Sequence, residues 1–451
     1  MVVSIEAKVA HVWRRLGFGP THRDIRIGAA LGVDAVIESF LAKPLVAFDR
    51  TGFPPVTAPV VEHQGRQLEM MAFGPVSTGV TTPAADYNPL QERVAWLLQG
   101  LLVVGMTDVV FQVDLLEHIA ALRGALDSDY HTLLSQVVTT AGMVKYLTGD
   151  LNDKAHPNQN LARELLELFS LGATDPATGA SNYDQQDVVE VARALTGWRY
   201  SFPTRTLAFD PDHWDGGDKT FLGAPRGAAG VTEVLDAILE QPSWAHYVPA
   251  RFYRELTGFD ASPEVLDSLT SAWGAEGDVA ALVAEIARRP EFTAGRAVFN
   301  RTKTALERVV AAARLLAWPE LATDMSIHPT MAQMGQIPWV PPNVSGWPKG
   351  DQWLNSSNLL VWSRLANLMA TRGFDENGQQ VGTISPFVTK VFTKSTPSTA
   401  ARFVCDQAGL IPTSYRTVSV LDAYARGGSW SPSRAAGLVN LTLLSPEFLA
   451  N

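Results

Sequence analysis

The chain of 451 residues has a single cysteine, Cys405, which rules out an intramolecular disulfide. Its setting, Ala401-Arg402-Phe403-Val404-Cys405, reads as helical and apolar and suits a buried structural thiol. No Cys/His spacing fits a zinc site. Charge is sparse: charged residues make up 18% of the chain and the formal net charge is -10. No run of Lys and Arg with interleaved aromatics offsets that balance, so a nucleic-acid partner is not expected. The longest apolar run, near Leu97 to Met106, is far too short to span a bilayer, so no membrane partner is expected. The first residues lack the layout of an export signal, because Glu6, Lys8, Arg14 and Arg15 interrupt any apolar stretch. A soluble, cytoplasmic protein is the expectation. Several catalytic templates are also missing: no Gly-x-Ser-x-Gly elbow, no phosphate-binding Walker loop, no His-Glu-x-x-His and no dinucleotide fingerprint.

What the chain does have is hydrophobic content and helical periodicity. At 46% hydrophobic residues it can bury a large core. Apolar residues recur at helical spacing through most of the chain, including Gln91–Val104, Val109–Leu122, Tyr130–Thr140, Asn160–Leu171, Asp184–Leu195, Asn300–Leu316 and Ser431–Leu444. Ser431 reads as an N-cap, with Pro432 at the first helical position. Strand-like alternation is scarce, with Thr206-Leu207-Ala208-Phe209 one arm of a short hairpin at most. The expected fold is mainly α: a large multi-helix domain over residues 1–375, and a C-terminal helical segment over 376–451 packed on it. Residues 44–88, 199–230 and 336–354 are rich in Pro, Gly or Trp and read as long irregular loops, a common place for function.

Chemistry concentrates in the middle of the chain. In Asn160–Leu171, a spacing of about 100° per residue puts Asn160, Arg163, Glu164, Glu167 and Ser170 on one face and the leucines on the other. Glu164 and Glu167 would repel unless a cation lay between them, and Arg163 at i,i+4 to Glu167 is the obvious partner. Either this is a solvated face with local ion pairs, or the two carboxylates face a cleft and divide into acid and base or hold a metal. In the next helix Asp187, Glu190 and Arg193 follow at i,i+3 steps, and Thr196-Gly197-Trp198 ends it. His213 lies among Asp210, Asp212, Asp215, Asp218 and Lys219, where a histidine can act as acid, base or ligand. Asn158 and Asn160 suit helix capping or ligand donation. Trp339, Trp347 and Trp353 form either a stacking platform for a sugar or polymer or a loop packed down by its own indoles.

Several of these segments, taken with His11-Val12-Trp13-Arg14-Arg15-Leu16-Gly17-Phe18-Gly19-Pro20, resemble the bacterial domain-of-unknown-function family numbered eighteen hundred. They are Asn158 to Leu168, Asp187 to Trp198, Phe209 to His213 with Gly217 to Gly223, and Pro341-Pro342-Asn343-Val344-Ser345-Gly346-Trp347-Pro348 with Trp353-Leu354. Order and spacing agree over nearly the whole chain. One departure stands out: where relatives carry a Trp-His-x-His-like element, this chain reads Trp96-Leu97-Leu98-Gln99-Gly100-Leu101-Leu102, without histidine. The resemblance implies no established reaction. Many relatives look secreted and are encoded beside a sulfatase-like protein, which implies a co-encoded partner.

Two readings follow. In the first the protein is a hydrolase acting on a glycan or other polar polymer. Its catalytic groups are Glu164, Glu167, Asp187 and His213, and Asn158, Asn160, Arg163, Arg193, Trp198, Lys219 and Trp347 bind substrate; a divalent metal is admitted as cofactor. In the second it is a non-catalytic binding or assembly protein whose carboxylates are structural ion pairs.

Overall fold

The computed structural model describes residues 3–74, 83–84, 87–318, 324 and 327–451. Among these the chain forms twenty-two α-helices and two small antiparallel sheets of two strands each, a mainly α fold as the periodicity implies. No helix among the described residues is long and apolar enough to cross a membrane.

The chain divides into two compact units, one built from residues 1–93, 288–338 and 348–451, the other from 94–287 and 339–347. At the centre of the first lies the Ala305–Leu316 helix, every residue of which is buried. It packs against the Val60–Phe73 and Ser356–Thr371 helices. A helix apolar on all sides, or one whose polar groups are all internally bonded, shows no amphipathic stripe in sequence. That explains why the Val60–Phe73 helix hides within the expected irregular stretch 44–88: from His63 onward all its residues are buried, Arg66 and Glu69 as an internal ion pair at 3.1 Å. Of that stretch, residues 75–82 and 85–86 lie outside the described residues. The expected Ser431 cap is in place: its hydroxyl accepts from the Arg434 backbone and Pro432 opens the helix.

The second unit wraps helices around an aromatic cluster. Tyr130 lies 5.3 Å from Trp273 and 5.7 Å from Trp244, centroid to centroid. The stretch 199–230 is better ordered than its composition implies. Strand β1 (Trp198–Ser201) pairs with β2 (Thr206–Phe209), in register Trp198 to Phe209, and β3 (Lys219–Phe221) pairs with β4 (Ala224–Gly227). The first hairpin was legible in Thr206 to Phe209. The second, with Pro225 inside β4 and a bulge between Lys219 and Thr220, was not.

Candidate functional site

The Asn158–Leu168 motif does not continue as one regular helix. Asn160–Glu164 is α-helical and Leu165–Ser170 is a π-helix. The Leu171 N–H reaches back to the Leu166 carbonyl at 3.0 Å, and the Ser170 hydroxyl to that of Leu165 at 2.5 Å. The wider turn rotates later residues off the α-helical spiral. Ser170, expected on the polar face, is therefore fully buried. Carbonyls at the end of a helix have no partners within it, and here side chains from elsewhere in the unit take those at and just beyond the widened turn. Tyr130 donates its hydroxyl to the Phe169 carbonyl at 2.8 Å, Arg251 reaches that of Leu168 at 3.4 Å, and the Asn182 amide bonds those of Leu171 and Gly172 at 2.8 and 2.9 Å. Gly172 then turns the chain at φ +77°, where a Cβ would meet the Tyr247 ring at 2.5 Å. The π-turn is thus held from outside.

Glu164 and Glu167 both end half-buried on this segment, opposite the buried Leu161, Leu165, Leu166 and Phe169. Burial and then the neighbouring Glu167 charge push the Glu164 carboxyl above its ordinary range, with Arg163 opposing. Among the described residues the Glu164 carboxylate accepts no hydrogen bond and forms no ion pair. Glu167 accepts the Tyr183 hydroxyl at 3.2 Å. The expected Arg163–Glu167 ion pair is absent, because the π-turn breaks the i,i+4 register that would have made it. Arg163 instead bonds the side-chain oxygens of Gln159 and Gln185 at 3.2 and 3.1 Å, and those two amides bond each other at 2.9 Å. Two tyrosines that sequence reasoning missed flank the carboxylates. Burial raises the Tyr146 hydroxyl, helped by Glu164, and raises that of Tyr183, helped by Glu167. Tyr183, next to the capping Asp184, lay close enough to the second helix to have been considered; Tyr146 had no local signal.

The asparagines serve the helix start. Asn158 Oδ1 accepts the Asn160 N–H at 3.0 Å, while both side-chain amides donate to the Thr148 hydroxyl at 3.0 Å. The Asn158 N–H is fixed in turn by buried Asn152, at 2.7 Å.

The second helix, Gln185–Ala194, spends its carboxylates on structure. Asp184 caps it, and Asp187 returns the bond to the Asp184 N–H at 2.9 Å. The other Asp187 oxygen accepts the Leu222 N–H in the β3–β4 turn at 2.7 Å. Arg193 pairs with Glu190 at 2.6 Å and with Asp215 at 2.7 Å. Lys219, buried, donates to the Asp215 and Gly217 carbonyls at 2.5 and 2.9 Å beside the Trp214 ring, and burial lowers its ammonium below the usual range. Trp198 opens β1 with its ring edge-on to Phe209 at 5.7 Å. His213 Nδ1 lies 2.5 Å from the Asp153 carboxylate, which Arg199 also pairs. The Ala155 N–H, His213 and Arg199 together hold that carboxyl below its usual value. Among the described residues, neither His213 nor Asp187 shares a hydrogen bond or ion pair with Glu164 or Glu167. None of their groups of three or more His, Cys, Asp or Glu could hold a metal ion. The open stacking platform does not form: Trp347, 8% exposed, packs on Trp96 at 4.8 Å, and Trp339 and Trp353 are buried as well. The alternative of a loop packed down by its indoles is what the fold builds.

The structure therefore brings together Glu164, Glu167, Arg163, Tyr183 and the two glutamines, and leaves Asp187, Arg193, Lys219 and His213 in neighbouring bonded networks. No curated protein and no solved structure matches this chain. The model of a protein-of-unknown-function family, DUF1800, matches residues 11–450, so the chain belongs to that family.

Proposed function

We propose that the protein is an acid–base enzyme of the hydrolase class, acting on a glycan or other polar polymer at the Glu164–Glu167 pair. The observation that carries this reading is the Glu164 carboxyl: half-buried, raised, and beside a second carboxylate with no cation bonded between them. Carboxylates whose environments differ divide naturally into proton donor and proton acceptor. Glu164 is the donor to a leaving group. Glu167, oriented by Tyr183, takes the proton of an attacking water. The exposed Asn160 and the half-buried Arg163, with its two glutamines, provide a polar rim for hydroxyl-rich substrate. A π-turn held by external bonds suits a site that must keep its geometry.

The second reading, a binding or assembly protein acting with a co-encoded partner, is favoured by one observation: Asp187, Glu190, Arg193, Asp215 and His213 are all engaged by internal bonds. The two readings separate by experiment. Wild type, Glu164→Gln and Glu167→Gln are assayed on a panel of oligosaccharides and polysaccharides while their melting temperatures are followed. Under the enzyme reading, turnover falls by roughly 100-fold or more in each variant with melting unchanged. A wild type that hydrolyses none of the panel, or variants as active as wild type, would count against it and leave the assembly reading.

A further inference from the structure

The aromatic surface that Trp347 and its loop do not provide is built elsewhere in the second unit, around the β1–β2 hairpin. The register pairs Trp198 with Phe209 and Tyr200 with Leu207, and directly opposed residues of an antiparallel pair project from the same face. Phe209 meets Trp198 at 5.7 Å and 65°, and Trp214 at 6.0 Å and 63°, centroid to centroid. Near the hairpin turn Phe202 meets Tyr200 at 5.0 Å, again edge-on. Edge-on contacts cover less ring face than stacking does. Phe209 is 45% exposed and Phe202 51%, while Trp198, Tyr200 and Trp214 are half-buried. A lone exposed aromatic needs no explanation, whereas rings grouped on one hairpin mark a binding surface.

The rings are fixed in place. Gly197 lies beneath them at φ +94°, where a Cβ would sit 2.8 Å from the Phe209 ring and 2.9 Å from the Trp214 Cβ. The Gly197 carbonyl accepts the Asp210 N–H at 2.7 Å, which anchors the residue after Phe209. Groups able to bond hydroxyls stand beside the rings. The Asp210 and His213 side chains are 42% and 45% exposed. Asp153 holds Nδ1 of His213, and Nε2 lies 3.7 Å from the Asp210 carboxylate, too far for a hydrogen bond. The surface is also tied to the carboxylate site. The Asn152 carbonyl accepts the Gly197 N–H at 3.4 Å, and its side chain accepts the Asn158 N–H at 2.7 Å. One buried residue thus joins the start of the hairpin to the start of the Asn160–Glu164 helix.

We propose that this aromatic face binds a hydroxyl-rich polysaccharide chain, whose sugar rings pack on Trp198, Phe209 and Trp214 while their hydroxyls bond Asp210 and His213. A pyranose ring is apolar across its C–H face and hydrogen-bonding around its rim, so it fits aromatic faces bordered by a carboxylate and an imidazole. Asp210 and the exposed Asp212 would repel the phosphates of a lipid surface. The surface takes its class of ligand from the glycan reading of Glu164 and Glu167, and adds contacts that a short oligosaccharide at the carboxylates need not make.

The test uses the full chain carrying Glu164→Gln, so that bound polymer is not consumed. It is run in native gels containing hydroxyethyl cellulose, xylan or soluble starch, and the retardation gives the affinity. The expected result is retardation by at least one polymer, a loss of roughly tenfold or more when Phe209→Ala is added, and recovery with Phe209→Tyr. Should Phe209→Ala fail to fold, His213→Ala, which leaves Asp153 paired with Arg199, reads the same loss. No retardation by any of the three polymers, or variants that bind as tightly as their parent, would overturn the proposal. So would a dimer in gel filtration that Phe209→Ala dissociates, since the face would then be a contact between copies of the chain. The wild-type chain separates this surface from the proposed activity. Polymer bound but not hydrolysed keeps the surface and counts against the Glu164–Glu167 enzyme, whereas oligosaccharide hydrolysed by a chain that no polymer retards does the reverse.

Discussion

Tyr183 donates its hydroxyl to the Glu167 carboxylate at 3.2 Å, across the short connection between the π-turn and the next helix. This bond joins the two segments that carry most of the motif. It also replaces the Arg163–Glu167 pair that helical spacing would have made. Tyr183→Phe should cost about 1 kcal/mol, the worth of one part-buried hydrogen bond to a carboxylate. Urea denaturation of the variant checks it. Under the acid–base reading, turnover also falls, because Glu167 loses its orienting contact.

Glu164 gives a pH dependence of defined sign. Its folded carboxyl titrates above the ordinary range, so the folded chain binds more protons than the unfolded one. Stability from this group is thus lost as pH rises from about 4.3, the unfolded value, through the raised folded value. Glu164→Gln should remove that loss, leaving the variant more stable than wild type by a few tenths of a kcal/mol at pH 7, the scale of a relieved like-charge pair. Denaturation curves between pH 4 and pH 8 should converge at the acid end.

Glu307 has the opposite sign. Although burial alone would raise it, Arg301 and Arg93 hold its carboxyl far below the usual range. Its contribution is present above the unfolded value of about 4.3 and lost as pH falls from there toward the folded one. Glu307→Gln leaves two guanidinium groups without their carboxylate and should cost roughly 3–5 kcal/mol. Chemical denaturation at pH 7 measures the loss, and it should shrink in acid.

Asp187 completes the capping box and receives the Leu222 N–H. Asp187→Ala should therefore destabilise by about 1–2 kcal/mol. In that role its melting temperature falls, while activity per folded molecule holds. A variant that melts like wild type and loses turnover would instead place Asp187 in the chemistry.

Gly172 tests how firmly the π-turn is held. Its φ of +77° and the Tyr247 ring leave no room for a side chain. Gly172→Ala should cost roughly 1–3 kcal/mol or more, from left-handed strain plus the clash. Thermal melting, with Tyr247→Ala as a background that relieves only the clash, separates the two parts.

Much of the architecture was legible in the sequence. The helical periodicity of Asp184–Leu195, the Ser431-Pro432 start and the strand-like Thr206 to Phe209 are local patterns, and local patterns survive folding when one face is buried. The Val60–Phe73 helix was hidden because its polar side chains are bonded inside the core, which erases the stripe a surface helix displays. In the site, the motif residues were visible, and so was the alternative that their carboxylates are partly structural.

The sequence alone determined the mainly α character, the membership of the family, and the crowding of carboxylates, amides and arginines into one stretch. The partner of each was decided only by tertiary structure. The carbonyls at the end of the π-turn find their partners across the fold, Phe169 in Tyr130 and Leu168 in Arg251, while Asn182 bonds those just beyond it. That turn moved Ser170 inward and left Glu167 without its expected Arg163 partner. A period of 3.6 residues predicts neighbours along a helix, whereas bonds formed across the fold decide whether that period is kept.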